Sequence, residues 1–310
     1  MTQFKNIQEL IVRFSDPKAC LEYVEQMRWN GNPVCPHCGQ NKPYRLKDGK
    51  TFRCKSKTCK KDFTVTTKTI FENSKIALSK WLIALYICTN HKKGISSCQL
   101  ARDIGTTQKT AWFMLHRLRE MVRPKAIPEL SEIVEIDTTW VGGKEKNKSK
   151  KKRAQLESGE RTPKKAPVFG MVERNGNSVL ISVPDEQSET LRPLINAVVD
   201  KDSIIVSDAA TVHYGLENEY KEHVIINHSN DEYAKGIYNT NTIEGAFSQL
   251  KRGIYGIYHQ VSVKHLQAYC HEFAYRYNTR KIKDSERFEL SMRNTEGRIK
   301  YKTLIGDKQG

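Results

Sequence analysis

Two pairs of cysteines constrain this chain most. Cys35-Pro-His-Cys38 is followed, fifteen residues later, by Cys54-Lys-Ser-Lys-Thr-Cys59. Four thiolates paired in this way suit a tetrahedral zinc ion, with knuckle gaps of two and four residues. A module confined to about 33–66 is too short to bury enough apolar surface unaided. Bound metal must therefore supply much of its stability. Tyr44, Phe52 and Phe63 offer it a small hydrophobic face. Four thiolates leave no open coordination position, so the zinc is expected to be structural; iron held by the same thiolates is the alternative. His37, between the first two ligands, is expected to be a bystander. The other cysteines, Cys20, Cys88, Cys98 and Cys270, are scattered and are expected to be buried thiols.

The charge is unevenly spread. The 310 residues carry a formal net charge of +17. Residues 1–130 hold 24 Lys/Arg against 10 Asp/Glu, whereas residues 131–310 hold 28 against 25. A basic first part points to a nucleic-acid or membrane partner. The longest apolar run, Trp81–Cys88, is far too short for a membrane span of about 20 residues. The opening residues lack the apolar core of a signal peptide. The expected partner is therefore a nucleic acid and the expected compartment the cytoplasm.

Residues 1–32 include a short helix, with Asp16 as N-cap and Pro17 at the first position. The region 75–123 shows helical periodicity through Ile76, Leu78, Trp81, Leu82, Leu85 and Tyr86. Within it, residues 94–118 fit two helices around a turn at Gly105, in the manner of a helix-turn-helix. Ser96 or Ser97 would cap the first helix and Thr106 or Thr107 the second. Ala101, Ile104, Ala111, Met114 and Leu115 would form the core between them. Gln108, Lys109, Trp112 and Arg117 would then face a duplex.

Pro124 and Pro128 mark a boundary, beyond which strands and helices alternate. Strands are expected at 132–141, 168–173, 178–184, 203–206 and 222–226. Helices are expected at 187–199, 241–253 and 263–281. Such a meander of three strands, followed by helix, strand, helix, strand and helix, is the order of an RNase H-like α/β fold. A loop at 144–165 carries ten Lys/Arg and three Glu. Its Lys144, Lys151, Lys152 and Arg153 are candidate DNA contacts, as is Arg252. Residues 286–310 show no pattern and are assigned as a tail.

Asp137 lies in the first expected strand, Asp208 closes the fourth, and Glu244 lies on the helix after the fifth. Carboxylates so placed can converge on a pair of divalent cations; hard oxygen ligands suit magnesium or manganese. Lys251 follows Glu244 by seven residues, on the same helix face, where its ammonium can hold a phosphate.

Order and spacing, with 35 residues between Asp208 and Glu244, resemble the D, D(35)E pattern of polynucleotidyl transferases. The resemblance extends over roughly 16–281. Val134-Glu-Ile-Asp137 with Trp140-Val-Gly-Gly-Lys-Glu-Lys-Asn147, Val206-Ser-Asp208, Asn241-Thr-Ile-Glu244-Gly and Leu250-Lys251-Arg252-Gly253 are similar to bacterial DDE-class insertion-sequence transposases. The closest group is the insertion sequence fifteen-ninety-five family, with its ISXO-two-like transposase domain. The resemblance implies that Asp137, Asp208 and Glu244 bind metal and that Lys251 assists at the DNA. It implies binding to terminal inverted repeats, metal-dependent cleavage and strand transfer, by a homo-oligomer acting at the nucleoid. Thr138 stands where the family often has an acid; Glu244 stands where some relatives have Asn. Two rivals stand beside it: a nuclease or resolvase with the same triad, which cleaves without joining, and a ribbon and helix-turn-helix transcription regulator with an inactive second domain, which predicts a broken triad where this one is intact.

Overall fold

The computed structural model describes residues 4–142, 165–227 and 234–306. The chain divides into two compact units. Residues 1–123 and 281–310 form the first, and residues 124–280 the second.

The first unit opens with helix α1 (Ile7–Arg13), capped by Asn6, whose side chain accepts from the Glu9 N–H. Helix α2 (Pro17–Trp29) begins as its sequence predicts. Asp16 accepts from the Lys18 and Ala19 amides, and Asn30 ends the helix in the left-handed region. A three-stranded antiparallel ribbon follows, with β1 (Tyr44–Arg45), β2 (Thr51–Arg53) and β3 (Asp62–Thr64). Helices α3 (Leu78–Asn90), α4 (Ser97–Asp103) and α5 (Gln108–Met121) then pack together. Their apolar faces share one core with α1 and α2 that includes Leu10, Val24, Trp81, Leu85, Leu100 and Met114.

The first part of the expected tail belongs to this core. In helix α9 (Asp284–Met292), Phe288 and Met292 are fully buried. Phe288 meets the rings of Phe4, Tyr23 and Tyr86 at centroid distances of 5.2, 6.1 and 6.4 Å. Beyond it, Thr69 and Glu296 form a β-bridge. A nine-residue helix with two core residues leaves too faint a period to recognise in sequence.

The second unit is a five-stranded sheet sandwiched between helices. Its strands are β4 (Ile133–Val141), β5 (Ala166–Glu173), β6 (Ser178–Ser182), β7 (Ile204–Asp208) and β8 (Glu222–Ile226). They lie in the order β6-β5-β4-β7-β8. The first three form an antiparallel meander; β7 runs parallel to β4, and β8 parallel to β7. Helix α6 (Ser188–Val198) covers one face, where Leu191, Ile195 and Val198 meet Val134, Ile136, Phe169 and Met171. Helices α7 (Asn241–Gly253) and α8 (Val263–Asn278) cover the other, packing Ile243, Phe247, Leu250 and Phe273 on Val168, Val172 and Leu180.

The connection after the fourth strand departs from the expected order of strands and helices. Between β7 and β8 the chain makes two short 3-10 turns, Thr211–His213 and Leu216–Asn218, in place of a helix. Gly215, at φ +86°, separates them, and a left-handed residue in so short a connection stops a helix from propagating.

Candidate active site and zinc centre

In the first unit, the four cysteine Sγ atoms all lie within 4.8 Å of one another. Cys35 and Cys59 are 3.9 Å apart, and Cys38 and Cys54 3.5 Å. Sulfurs about 2.3 Å from a central zinc sit about 3.8 Å apart at the corners of a tetrahedron, so the cluster fits the ion closely. Both pairs form tight turns. The Gly39 amide donates to the Cys35 carbonyl, and the Lys60 amide to the Ser56 carbonyl. The residue after each second cysteine, Gly39 or Lys60, is left-handed, at φ +77° and +45°. The Ser56 amide points at the Cys54 sulfur, 3.4 Å away.

Burial raises the Cys35 thiol, but amides of His37 and Cys38 and the neighbouring thiols outweigh it and bring it below the ordinary value. Burial, with the hydrogen bonds that its S–H gives to the other three sulfurs, pushes Cys54 up to about 12. Four thiols this close cannot all ionise without a cation among them. His37 stays outside the cluster.

The ribbon's apolar wall differs from expectation in one member. Phe52 and Phe63 stack at 5.6 Å, and Trp29 from α2 meets both edge-on at 5.4 and 6.1 Å. Tyr44 is exposed, with the Lys55 ammonium 4.6 Å from its ring centroid. Helix α2 thus supplies the aromatic that Tyr44 was expected to provide.

Helices α4 and α5 meet around Gly105, at φ +60°. Ser96 accepts from the Gln99 amide and Thr107 from the Thr110 amide. Leu100, Ala101, Ile104, Ala111, Met114 and Leu115 are buried. Gln108 and Lys109 are exposed at the start of α5, and Trp112 is half-buried. Gln108 bonds the Ser97 hydroxyl at 2.8 Å.

Arg117 corrects the sequence reading. It is buried and donates to the carbonyls of Ile70 (2.6 Å), Glu72 (3.1 Å) and Ile299 (3.3 Å), so it braces the first unit and cannot face a duplex. Segments distant in sequence cover that face of α5. Tyr301, in the short helix α10 (Tyr301–Ile305), lies 5.5 Å from Phe113 and under the Lys109 ammonium at 5.0 Å. Arg252 is exposed on α7, and its Nε donates to the Ser248 carbonyl. Lys144, Lys151, Lys152 and Arg153 lie outside the described residues.

In the second unit, Glu135 pairs with Val206 across the parallel strands β4 and β7. Two residues further along each strand stand Asp137 and Asp208, on the same face, where the ladder has ended. A crevice beyond the carboxyl ends of parallel strands is a common place for a site. On the other side of Asp137, β5 presents Gly170. A Cβ there would come within 2.7 Å of Phe247 and 3.1 Å of Ile243. The glycine lets α7 lie close on the sheet, with Glu244 in its first turn.

Asp137 is pushed up to about 7. Burial is the main cause, and the charges of Asp208 and Glu244 add to it; the Thr138 amide, donating at 2.6 Å, and Lys251 oppose it. Asp137 therefore feels all three expected partners. Asp208 accepts from the Ala210 amide at 3.3 Å and has the buried His213 Nε2 3.7 Å away. Burial lowers His213 to about 4, so it is neutral at pH 7. Among the described residues only the four thiols converge within one ion's reach; the three carboxylates are coupled but less tightly gathered. Their donor chemistry, hard oxygens whose mutual repulsion a cation relieves, fits divalent metal.

The raised Asp137 has a consequence for stability. Its ordinary value is 3.8. Between about 4 and about 7 the folded protein holds a proton that the unfolded chain has released, so stability falls as pH rises through that window. In chelator, Asp137→Asn is expected to remove this contribution and raise the melting temperature at pH 8 by several degrees. Magnesium or manganese should then raise the parent's melting temperature at pH 8 but not the variant's. Parent and variant melts that run parallel across pH would show that Asp137 ionises normally.

The sequence reading missed Glu135. It is fully buried and accepts from the Thr242 and Ile243 amides at 2.8 and 3.0 Å, from the Thr242 hydroxyl at 2.8 Å, and from Arg174 at 2.9 and 3.2 Å. Alternation along β4 was the available signal, since it places Glu135 on the face of Asp137.

A four-thiolate ribbon and an acid-bearing α/β unit define a two-domain, metal-binding protein. Residues 15–62 match the transposase zinc-ribbon domain, and residues 129–278 match the ISXO2-like transposase domain. Both matches are to domains of transposases. It is also similar to an uncharacterized protein in the transposable element ISH50 of Halobacterium salinarum, with 28% identity over 254 residues, 78% of this chain and 84% of that one. That relative is archaeal, so the expected restriction to bacteria is too narrow. Among the described residues no helix is long and apolar enough to cross a membrane.

Proposed function

We propose that this chain is a transposase that binds the terminal inverted repeats of its element, cleaves the DNA there, and joins the freed 3′-hydroxyl to target DNA. The observation that carries this reading is the placement of Asp137 and Asp208 on one face of neighbouring strands, with Glu244 electrostatically coupled to Asp137. We read the sheet, a meander with two further parallel strands, as RNase H-like, and the α4–α5 pair as a helix-turn-helix. Recombining two ends requires more than one copy, and the work is done on DNA in the cytoplasm.

Asp137, Asp208 and Glu244 would hold two magnesium or manganese ions, which supply charge stabilisation at the attacking and leaving oxygens of phosphoryl transfer. Asp137 must give up its proton to serve as a ligand. Lys251, close enough to lower Asp137, would hold a phosphate oxygen beside the acids. The ribbon and the exposed start of α5, with Gln108 and Lys109, would engage the repeats, and Arg252 the cleaved strand.

The test uses end-labelled repeat DNA and a target duplex. Magnesium-dependent nicking and a joined product are expected. Nicking without joining would favour a nuclease; repeat binding without either would favour a regulator.

The segment 144–165, net +7 in sequence, is expected to add nonspecific phosphate contacts. Neutralising four of its lysines should flatten the salt dependence of binding by about 3–4 units of slope, at about 0.9 per contact. An unchanged slope would mean that the segment does not touch DNA.

A further inference from the structure

We propose that Glu135 is the positioning residue of the acidic centre. It fixes the helix bearing Glu244 over the strand bearing Asp137 and so sets the separation at which these acids share divalent ions. The inference rests on the proposed reading of that centre.

A carboxylate removed from water is costly unless it is fully hydrogen-bonded. An element that only had to glue a helix to a sheet would be apolar, as the rest of this interface is: Ile243, Phe247 and Leu250 lie on Val168 and Val172. Glu135 instead accepts five hydrogen bonds and is the cap of α7. The helix's own N-cap residue, Thr240, makes no side-chain cap bond to it, and its hydroxyl reaches Glu244 Oε1 at 3.4 Å. The first-turn amides of Thr242 and Ile243 converge on Glu135 Oε2, where a negative charge also suits the helix dipole.

Arg174 completes the clamp. It pairs with Glu135 Oε1 and donates to the carbonyls of Ile237 (2.6 Å) and Asn239 (3.1 Å), which lead into α7. Its own amide donates to the Ile133 carbonyl of β4 at 2.9 Å. Strand, helix entry and helix start are thus tied to one carboxylate. The lever to the metal ligands is short. Asp137 is two residues beyond Glu135 on the same face of β4, and Glu244 is two residues beyond Thr242. A shift at the clamp therefore passes directly into the spacing of the two acids.

The experiment measures manganese binding by electron paramagnetic resonance on the full chain, together with repeat binding, the magnesium requirement of cleavage and thermal melting. Glu135→Gln is expected to keep repeat binding, to weaken manganese binding about 10–100-fold, and to raise the half-saturating magnesium by a similar factor. Thr242→Val, which removes one of the five bonds, should shift both in the same direction by less. A role confined to holding the fold would lower the melting temperature and leave the metal affinity of the folded protein unchanged. That result in a folded Glu135→Gln protein overturns the proposal; should the variant not fold, the same result in Thr242→Val overturns it. Asp137→Asn is the separate control. If it binds manganese and cleaves like the parent, the acidic centre is misread and the proposal falls with it.

Discussion

Glu244→Gln is expected to leave repeat binding nearly unchanged while magnesium-dependent cleavage falls by about 10²–10³-fold or more. The substitution preserves the size of the side chain and removes one charge. Glu244 is exposed in the first turn of α7, and a glutamine Oε1 can still accept from the buried Thr240 hydroxyl that reaches it. The residues proposed to read DNA belong to the first unit, and the substitution lies in the second. Asp137→Asn and Asp208→Asn should behave alike in cleavage. The three losses should not add, because ligands of a shared metal pair act as one unit. Cleavage by the glutamine variant within about tenfold of the parent would remove Glu244 from the ligand set. Asp231 and Glu232, outside the described residues, would then be the next candidates.

The order of elements in the second unit is legible in sequence because each obeys a local rule. Ile133–Val141 and Ile204–Asp208 are short β-branched runs, and Leu191, Ile195 and Val198 recur at helical spacing. Local period also places Asp137 and Asp208 at strand positions. What it cannot supply is partnership between distant residues. Glu135 and Thr242 are 107 positions apart, and only the sheet register and the seat that Gly170 leaves for Phe247 bring them together. Arg117 fails for the same reason. Nine positions after Gln108 it lies on the opposite side of α5, where the segments at 70–72 and 299–301 close over it. Trp29 displaces Tyr44 from the ribbon's wall because α2 packs there, a contact that the cysteine spacing does not encode.

Cys54→Ser is expected to abolish zinc binding and to unfold the ribbon while the second unit keeps its fold. Serine does not ionise at neutral pH, so it cannot replace a thiolate ligand. Zinc contributes about 10–16 kcal/mol to the folding of small finger peptides, whereas the apolar resources of this ribbon are few. The buried cluster beside the metal site is only Phe52, Phe63, Cys35 and Cys54, with Trp29 and Cys59 packed against them. Losing the metal therefore exceeds anything that those contacts can supply. The edge-on contacts of Trp29 with both rings give a local readout, since unfolding releases the indole and should change its near-ultraviolet circular dichroism. Metal analysis should fall from one zinc per chain to none, and repeat binding should weaken if the ribbon engages DNA as proposed. Chelation of the parent should reproduce all three changes, and restored zinc should reverse them. Protein purified without chelator that carries no zinc, yet keeps the Trp29 signal, would show that the ribbon stands without metal.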